Sequence, residues 1–326
     1  MRAPEFWQHR GLLSTALLPA ALLYDAIGSW RRRRARPAQA GVKVLCVGNL
    51  VAGGAGKTPL TLALAEELVR HGTAPAILTR GYGGRLAGPV RVDPARHGYR
   101  EVGDEPLLLA AAAPCYVARD RAEGARLAVA EGAQALLMDD GLQNLSLAQD
   151  VRLIAIDGGY GFGNGRVMPA GPLREGLDAG LKRIHGAVLI GEDRFGLAET
   201  LAGRLPLISA TLRPREDAAI WTGRKVLAFA GIGRPQKFFD TLAELGAVLV
   251  AGKEFPDHHP YAEAEIAFLL AEAEAAQAVA VTTAKDRLRL PQALAPRIET
   301  LDVVLRWTSD ADRRIVETLI APLLNR

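Results

Sequence analysis

Cysteine is almost missing from this chain: Cys46 and Cys115 stand far apart and without CxxC spacing. That argues against a disulfide framework or a zinc site and fits a reducing compartment. Aromatic residues are sparse, at 6 %, so Ala and Leu carry most of the apolar content. Neither sign of charge dominates: the formal net charge is +4 over 326 residues, which by itself gives no reason to expect nucleic acid. What is present is the mix of an ordered globular protein, 49 % apolar and 23 % charged, long enough for one large or two modest domains.

The N-terminus departs from this even pattern. Gly11 to Tyr24 (GLLSTALLPAALLY) carries no charge, and Arg31, Arg32, Arg33, Arg34 and Arg36 follow as one basic block. The uncharged run is about 14 residues, roughly 21 Å as a helix, and falls short of a ~30 Å hydrocarbon core. With Trp7 and Trp30 flanking it, a helix lying in the membrane interface fits best, its arginines facing anionic headgroups. A buried core helix is the plainer alternative. Ala38-Gln39-Ala40 looks like a signal-peptidase site, but positive charge between it and the apolar run favours cytoplasmic retention.

Beyond the arginines the chain alternates short apolar runs with helical periodicity. Val42 to Val47 predicts a strand, Thr58 to His71 a helix and Ala76 to Thr79 the next strand, a β-loop-α-β unit that implies a parallel sheet. Further strands are expected at 135–138, 151–156, 187–190 and 207–210. Thr211 to Ala219 reads as a linker, and a second α/β cycle starts at Val226. The expected organisation is an N-terminal membrane-associated segment (1–34), a larger P-loop-like α/β domain (35–213) and a smaller C-terminal α/β domain (214–326).

The loop between the first strand and helix reads Ala52-Gly53-Gly54-Ala55-Gly56-Lys57-Thr58. Glycines let backbone N–H groups turn inward around a phosphate, a Lys reaches the β- and γ-phosphates, and a Thr hydroxyl can ligate Mg²⁺. Val51 stands where the usual P-loop has its first Gly. Asp139 and Asp140 follow an apolar run, the place of a Mg²⁺-holding Walker B acid; a solvated Asp-Asp-Gly turn is the alternative. RGYGGR (80–85) follows a strand at the edge where ligands bind, with Arg80 and Arg85 suited to phosphates and Tyr82 to a sugar or base. Asp104 opens a helix in GDEP (103–106), where it could act simply as an N-cap. Asp257-His258-His259 offers an acid–imidazole pair for proton handling.

Together these pieces resemble the tetraacyldisaccharide 4′-kinases of lipid A biosynthesis. The matching segments are VGNLVAGGAGKTP (47–59), RGYGG (80–84), GDEP, DDGLQN (139–144), FGNGRVMPAGPLRE (162–175), AGIGRPQKFF (230–239), DHH (257–259) and TAKD (283–286). The family's P-loop likewise lacks the first Gly. Asn144 departs from the pattern, which commonly has His there. The resemblance implies transfer of the ATP γ-phosphoryl to the 4′-hydroxyl of a tetraacylated glucosamine disaccharide 1-phosphate. The setting would be the cytoplasmic face of the inner membrane of a Gram-negative-type bacterium, among its surface lipids, with no nucleic acid or obligate protein partner. It implies Asp104 and His258 as the dyad that activates the hydroxyl, brought together by domain closure. Residues 53–58 would hold ATP, and Thr58, Asp139, Asp140 and Glu175 Mg²⁺; Arg80, Tyr82 and Glu105 would lie toward the substrate. The rival is a membrane-associated switch ATPase of the partitioning type, but Ala52 replaces that group's first loop lysine.

Overall fold

The structure, a computed structural model, describes residues 4–215 and 217–324; residues 1–3 and 325–326, and position 216 near the expected domain boundary, lie outside it. Thirteen strands are described: β1 Lys43–Gly48, β2 Pro75–Thr79, β3 Val90–Arg91, β4 Cys115–Val117, β5 Ala135–Asp139, β6 Val151–Asp157, β7 Gly186–Ile190, β8 Leu207–Pro214, β9 Lys225–Ala230, β10 Val248–Glu254, β11 Val279–Thr283, β12 Glu299–Leu301 and β13 Val303–Trp307. They form two sheets, in the orders β13-β8-β7-β6-β1-β5-β2-β4-β3 and β10-β9-β11-β12. The second sheet is wholly parallel; in the first only the end strands β3 and β13 pair antiparallel. Central strands such as β2, β5 and β7 are buried along their whole length because apolar clusters cover both faces. That is why they read as unbroken apolar runs rather than alternating ones.

The expected C-terminal domain does not stay together. Residues 225–301 build the second sheet, but β13 returns to the first and pairs with β8 from Val303↔Pro214 to Trp307↔Ala210. The stretch expected to be a linker from Thr211 is therefore strand as far as Pro214. Left at the edge, β8 would present an unpaired row of backbone groups, and β13 covers it. The following helix, Asp310–Ile320, buries Val316 and Ile320 in the core beneath the first sheet. Trp307 Nε1 donates to Glu67 Oε1 at 3.1 Å, tying β13 to the helix Lys57–Arg70.

The N-terminal segment forms helices Leu12–Ala16 and Leu18–Arg34, broken at Leu17 just before Pro19. No helix among the described residues is long and apolar enough to cross a membrane. Leu12 is 92 % exposed, and Leu22, Leu23, Ile27 and Trp30 are also exposed. At about 100° per residue these last four fall on one side of the helix. The opposite side is clamped to residues 162–176. Ser14 Oγ donates to Ala170 O at 2.6 Å, and buried Asn164 Nδ2 lies 3.0 Å from Ser14 Oγ and 3.2 Å from Phe6 O. Asp25 accepts from Gly176 N at 3.1 Å. Arg32 turns inward, 3.6 Å from Glu175, whereas Arg31 and Arg33 stay exposed.

Asn164→Ala is expected to lower global stability by about 1–3 kcal/mol, since it strands buried partners. Amide exchange should accelerate in residues 5–16 more than in β1 or β5. Uniform acceleration across the chain would show that Asn164 does not act as a local clamp.

Candidate active site

β1 lies between β5 and β6, so the loop after it opens at the carboxyl edge of the first sheet, where ligands of parallel sheets bind. The loop is braced from outside: Ala52 N donates to Pro172 O at 2.8 Å, and Asn49 Nδ2 to Gly53 O at 3.1 Å. A Cβ on Gly53 or Gly54 would meet nothing within 4 Å, so the inner side of the loop is open. Gly56 has φ +83°, and a Cβ there would lie 2.6 Å from Ile190 Cδ1, so only Gly fits. The helix Lys57–Arg70 starts at the next residue, with its N-terminal dipole directed at the loop.

Asp139 ends β5 in register with Val47 of β1 and accepts from Thr61 Oγ1 at 2.8 Å. Burial pushes its pKa up to about 7; the charges of Glu105 and Asp140 add to the rise, while Lys57 and the Thr61 hydroxyl oppose it. Asp140 takes a left-handed φ of 50° and lies 3.6 Å from Lys57 Nζ and 3.4 Å from Arg174 Nη1. A buried carboxylate crowded by other acids, beside an open glycine loop, is a donor set that a divalent cation would relieve.

The second sheet presents its own carboxyl edge to this one. A methyl built on Gly233, after β9, would lie 4.0 Å from Gly54 N and 3.9 Å from Asp257 Oδ2. Across the gap Asp104 Oδ2 meets His258 Nδ1 at 3.0 Å. Lys285 Nζ lies 3.1 Å from Glu105 Oε1 and 3.4 Å from His258 Nε2. Arg289, buried, sits with Nε 3.3 Å from Asp104 Oδ2 and donates through Nη2 to Asp286 at 2.6 Å. Asp157, at the end of β6, holds Arg234 at 3.0 Å and Lys237 at 3.2 Å. Burial would raise the Asp104 pKa, but the His258 hydrogen bond and the charges of Lys285 and Arg289 bring it below the usual carboxylate range. His258 has φ 60°, a left-handed backbone that costs a non-glycine residue of order 1 kcal/mol and persists where its surroundings enforce it.

The profile of the tetraacyldisaccharide-1-P 4′-kinase family matches residues 13–321. The chain belongs to that family. It is 53 % identical over 307 residues to the tetraacyldisaccharide 4′-kinase of Rhodospirillum rubrum, covering 93 % of each chain. To the kinase of that name from Rhodospirillum centenum it is 53 % identical over 331 residues, covering all of this chain and 97 % of the relative. The solved structure of LpxK from Aquifex aeolicus in complex with ATP superposes with a TM-score of 0.76 at 25 % identity, covering 96 % of this chain and all of that one. The partitioning-ATPase alternative falls away with this assignment.

For a tetraacyldisaccharide 4′-kinase the arrangement places most of the expected residues at one mouth. Asp104 and His258 are already in contact, so in this state no closure is needed to join them. Tyr82 is 65 % exposed, with its ring 5.3 Å from the His258 ring. Arg80 is exposed at the end of β2, beside buried Arg121, whose pKa burial and the Arg80 charge bring down to about 10. Glu175 is buried; its Oε2 faces Arg183 and Arg32, while its Oε1 has no hydrogen-bond partner. It helps anchor the N-terminal helix and leaves one buried carboxylate oxygen free for a cation. Asn144 Oδ1 accepts from Ser146 and Leu147, a turn-forming role with no imidazole chemistry. Lys285, Arg289, Asp157 and Arg174 were not singled out by sequence reading. Lys285 at least lay inside a matching segment, as did Arg174.

Asp139 gives a signed test. A carboxyl whose folded pKa exceeds its unfolded value weakens the fold as pH rises from the ordinary Asp range toward about 7, and the penalty is complete above that. Metal-free Asp139→Asn is therefore expected to melt at or above the wild-type temperature above about pH 7, the difference vanishing near pH 4. Mg²⁺ should raise the melting temperature of wild type more than that of the variant. A variant less stable than wild type at high pH would contradict this account.

Proposed function

We propose that this chain transfers the γ-phosphoryl group of ATP to the 4′-hydroxyl of a tetraacylated glucosamine disaccharide 1-phosphate, at the cytoplasmic face of the inner membrane. The observation that carries the reading is the Asp104–His258 contact, made between two lobes at the mouth of an open glycine loop. The two sites named by the family, for nucleotide and alcohol, thus share one cleft.

Residues 53–58 bind the triphosphate, with backbone N–H groups of the loop and Lys57 facing its oxygens. Thr58, Asp139, Asp140 and Glu175 would hold Mg²⁺, which would supply positive charge against the triphosphate. Asp104, kept ionised, accepts from His258 Nδ1 and orients the ring. His258 Nε2 then takes the hydroxyl proton as the acceptor oxygen bonds to the γ-phosphorus and the bridging P–O bond breaks toward ADP. Tyr82 lies beside the His258 ring and offers a face to the sugar. Arg80, with Arg121 behind it, offers positive charge to an anionic acceptor.

The N-terminal helix supplies access to the amphiphile. Its exposed apolar stripe and the flanking Arg31 and Arg33 form a surface for an anionic interface, with the other side clamped to the kinase body. Burying three such side chains is worth roughly 1.5–3 kcal/mol each.

Two measurements check this reading. Incubation with Mg-ATP and the disaccharide 1-phosphate should add a single phosphate to the lipid by mass spectrometry. His258→Ala and Asp104→Ala should each slow that transfer about a hundredfold or more while ATP affinity stays within about twofold; wild-type transfer rates in either variant would remove the dyad. Separately, Leu22→Ser, Leu23→Ser and Ile27→Ser combined should weaken partition onto anionic vesicles by about tenfold or more. Unchanged partition would discard the anchor.

A further inference from the structure

The dyad has a third member that the family motifs did not isolate, and its position constrains which nitrogen of His258 is free. Asp104 Oδ2 faces His258 Nδ1 at 3.0 Å, and Asp104 Oδ1 accepts from Glu105 N at 2.9 Å. With Arg289 Nε 3.3 Å from the same carboxylate, Asp104 is an ionised acceptor, so the proton of that contact sits on Nδ1. On the other side of the ring, Lys285 Nζ lies 3.4 Å from Nε2. An ammonium has three donors and no acceptor, so a protonated Nε2 would set donor against donor. Only the neutral ring with Nδ1–H satisfies both neighbours.

The other groups around the ring do not change this. Asp257 Oδ1 is 3.8 Å from Nε2, beyond hydrogen-bond reach but close enough to favour a proton there if Lys285 were absent. The Tyr82 ring contributes no charge. Lys285 is itself pinned by Glu105 at 3.1 Å and keeps its proton. Burial would lower its pKa, yet the charges of Glu105, Asp104 and Asp257 bring the net shift upward.

We propose that Lys285 is a positioning residue of the kinase, holding His258 in the tautomer with Nε2 unprotonated and occupying the place at that nitrogen that the acceptor hydroxyl must take. The inference rests on the dyad reading above and adds the residue that sets its protonation state. Lys285 and Arg289 come from one short segment after β11, and they grip the adjacent acids Glu105 and Asp104. The same clasp that joins the two lobes thus also prepares the base. When the hydroxyl arrives, Lys285 shifts toward Glu105 and the proton-accepting lone pair is exposed to substrate alone.

The test uses full-length protein labelled with ¹⁵N-histidine, the His258 signals being assigned by their loss in His258→Gln. In wild type at neutral pH, without nucleotide, Nε2 should show the shift of an unprotonated acceptor and Nδ1 that of a protonated donor. Lys285→Met should move Nε2 toward the protonated shift and lower kcat about tenfold or more, with the KM for ATP within about twofold. Lys285→Arg, which keeps a cation facing Nε2, should retain the unprotonated shift. A protonated Nε2 in wild type overturns the proposal, as does a Lys285→Met enzyme with unaltered shift and kcat. Should Lys285→Met fail to fold, Lys285→Gln, which also removes the cation at Nε2, is read by the same shift and kcat, and an unaltered result there overturns the proposal. An inactive wild-type protein with the expected spectrum would count against the kinase reading while leaving the tautomer assignment in place.

Discussion

The contact between Asp104 and His258 is the interaction on which the rest of the site depends, because its partners belong to different sheets. Neither lobe holds the pair alone. His258 sits after β10 with a left-handed backbone, and Asp104 opens the short helix before β4. A 3.0 Å hydrogen bond between them can persist only if the lobes are held in one relative placement. The clasp of Arg289 on Asp104, Lys285 on Glu105, and Asp157 on Arg234 and Lys237 provides that placement. Each pair puts an acid of the first lobe against a cation of the second, so the joint is complementary in sign throughout. Partial burial strengthens such pairs beyond what exposed surface pairs contribute.

This follows from how the sheets are arranged. In a parallel sheet every carboxyl-end loop lies along one edge, and here the two such edges face each other. The first contributes the glycine loop, Asp139, Asp140 and Asp157; the second contributes Gly233, Arg234, Asp257, His258 and Lys285. The first edge sets these acids against Lys57, Arg80, Arg121 and Arg174, a mixed field that suits a cation and a triphosphate together. Burial and the neighbouring acids Glu105 and Asp140 raise the Asp139 pKa to about 7, which marks this corner as crowded with negative charge. Substrate and metal would bring opposite charges that relieve one another.

Much of this was readable before any coordinates. Buried parallel strands announce themselves as short apolar runs, and the loop from Gly53 to Thr58 carries its own chemistry. The elements that escaped were those whose signal is tertiary. β13 follows β12 with only Asp302 between, and nothing local tells Val303 to leave its neighbour and pair with Pro214. Thr211–Pro214, with a proline and mixed charges around it, resembles a linker because this end of β8 runs past β7 and pairs only with β13, so it need not be apolar on both faces. Glu175, which the resemblance groups with the metal acids, also faces two arginines, one of them from the basic block expected to face headgroups, a pairing that only the fold creates. Lys285 and Arg289 look like ordinary surface cations in sequence. Only folding brings them within 3.5 Å of acids about 180 residues away.

The clamp of the N-terminal segment connects it physically to the glycine loop. Residues 162–176 hold that segment through the Asn164–Ser14 contact, the Asp25–Gly176 bond and the Arg32–Glu175 pair. Between those contacts the same stretch braces the glycine loop from outside, through Ala52 N on Pro172 O and Arg174 N on Leu50 O. Arg174 then reaches Asp140 with its side chain. The N-terminal helices therefore share one short, hydrogen-bonded strap with the glycine loop. Because Pro172 and Arg174 bond the backbone of Ala52 and Leu50, a shift of those helices reaches the loop directly. On the function proposed above, an interface that seats the helices would thereby set where the cleft opens for the sugars of a lipid acceptor.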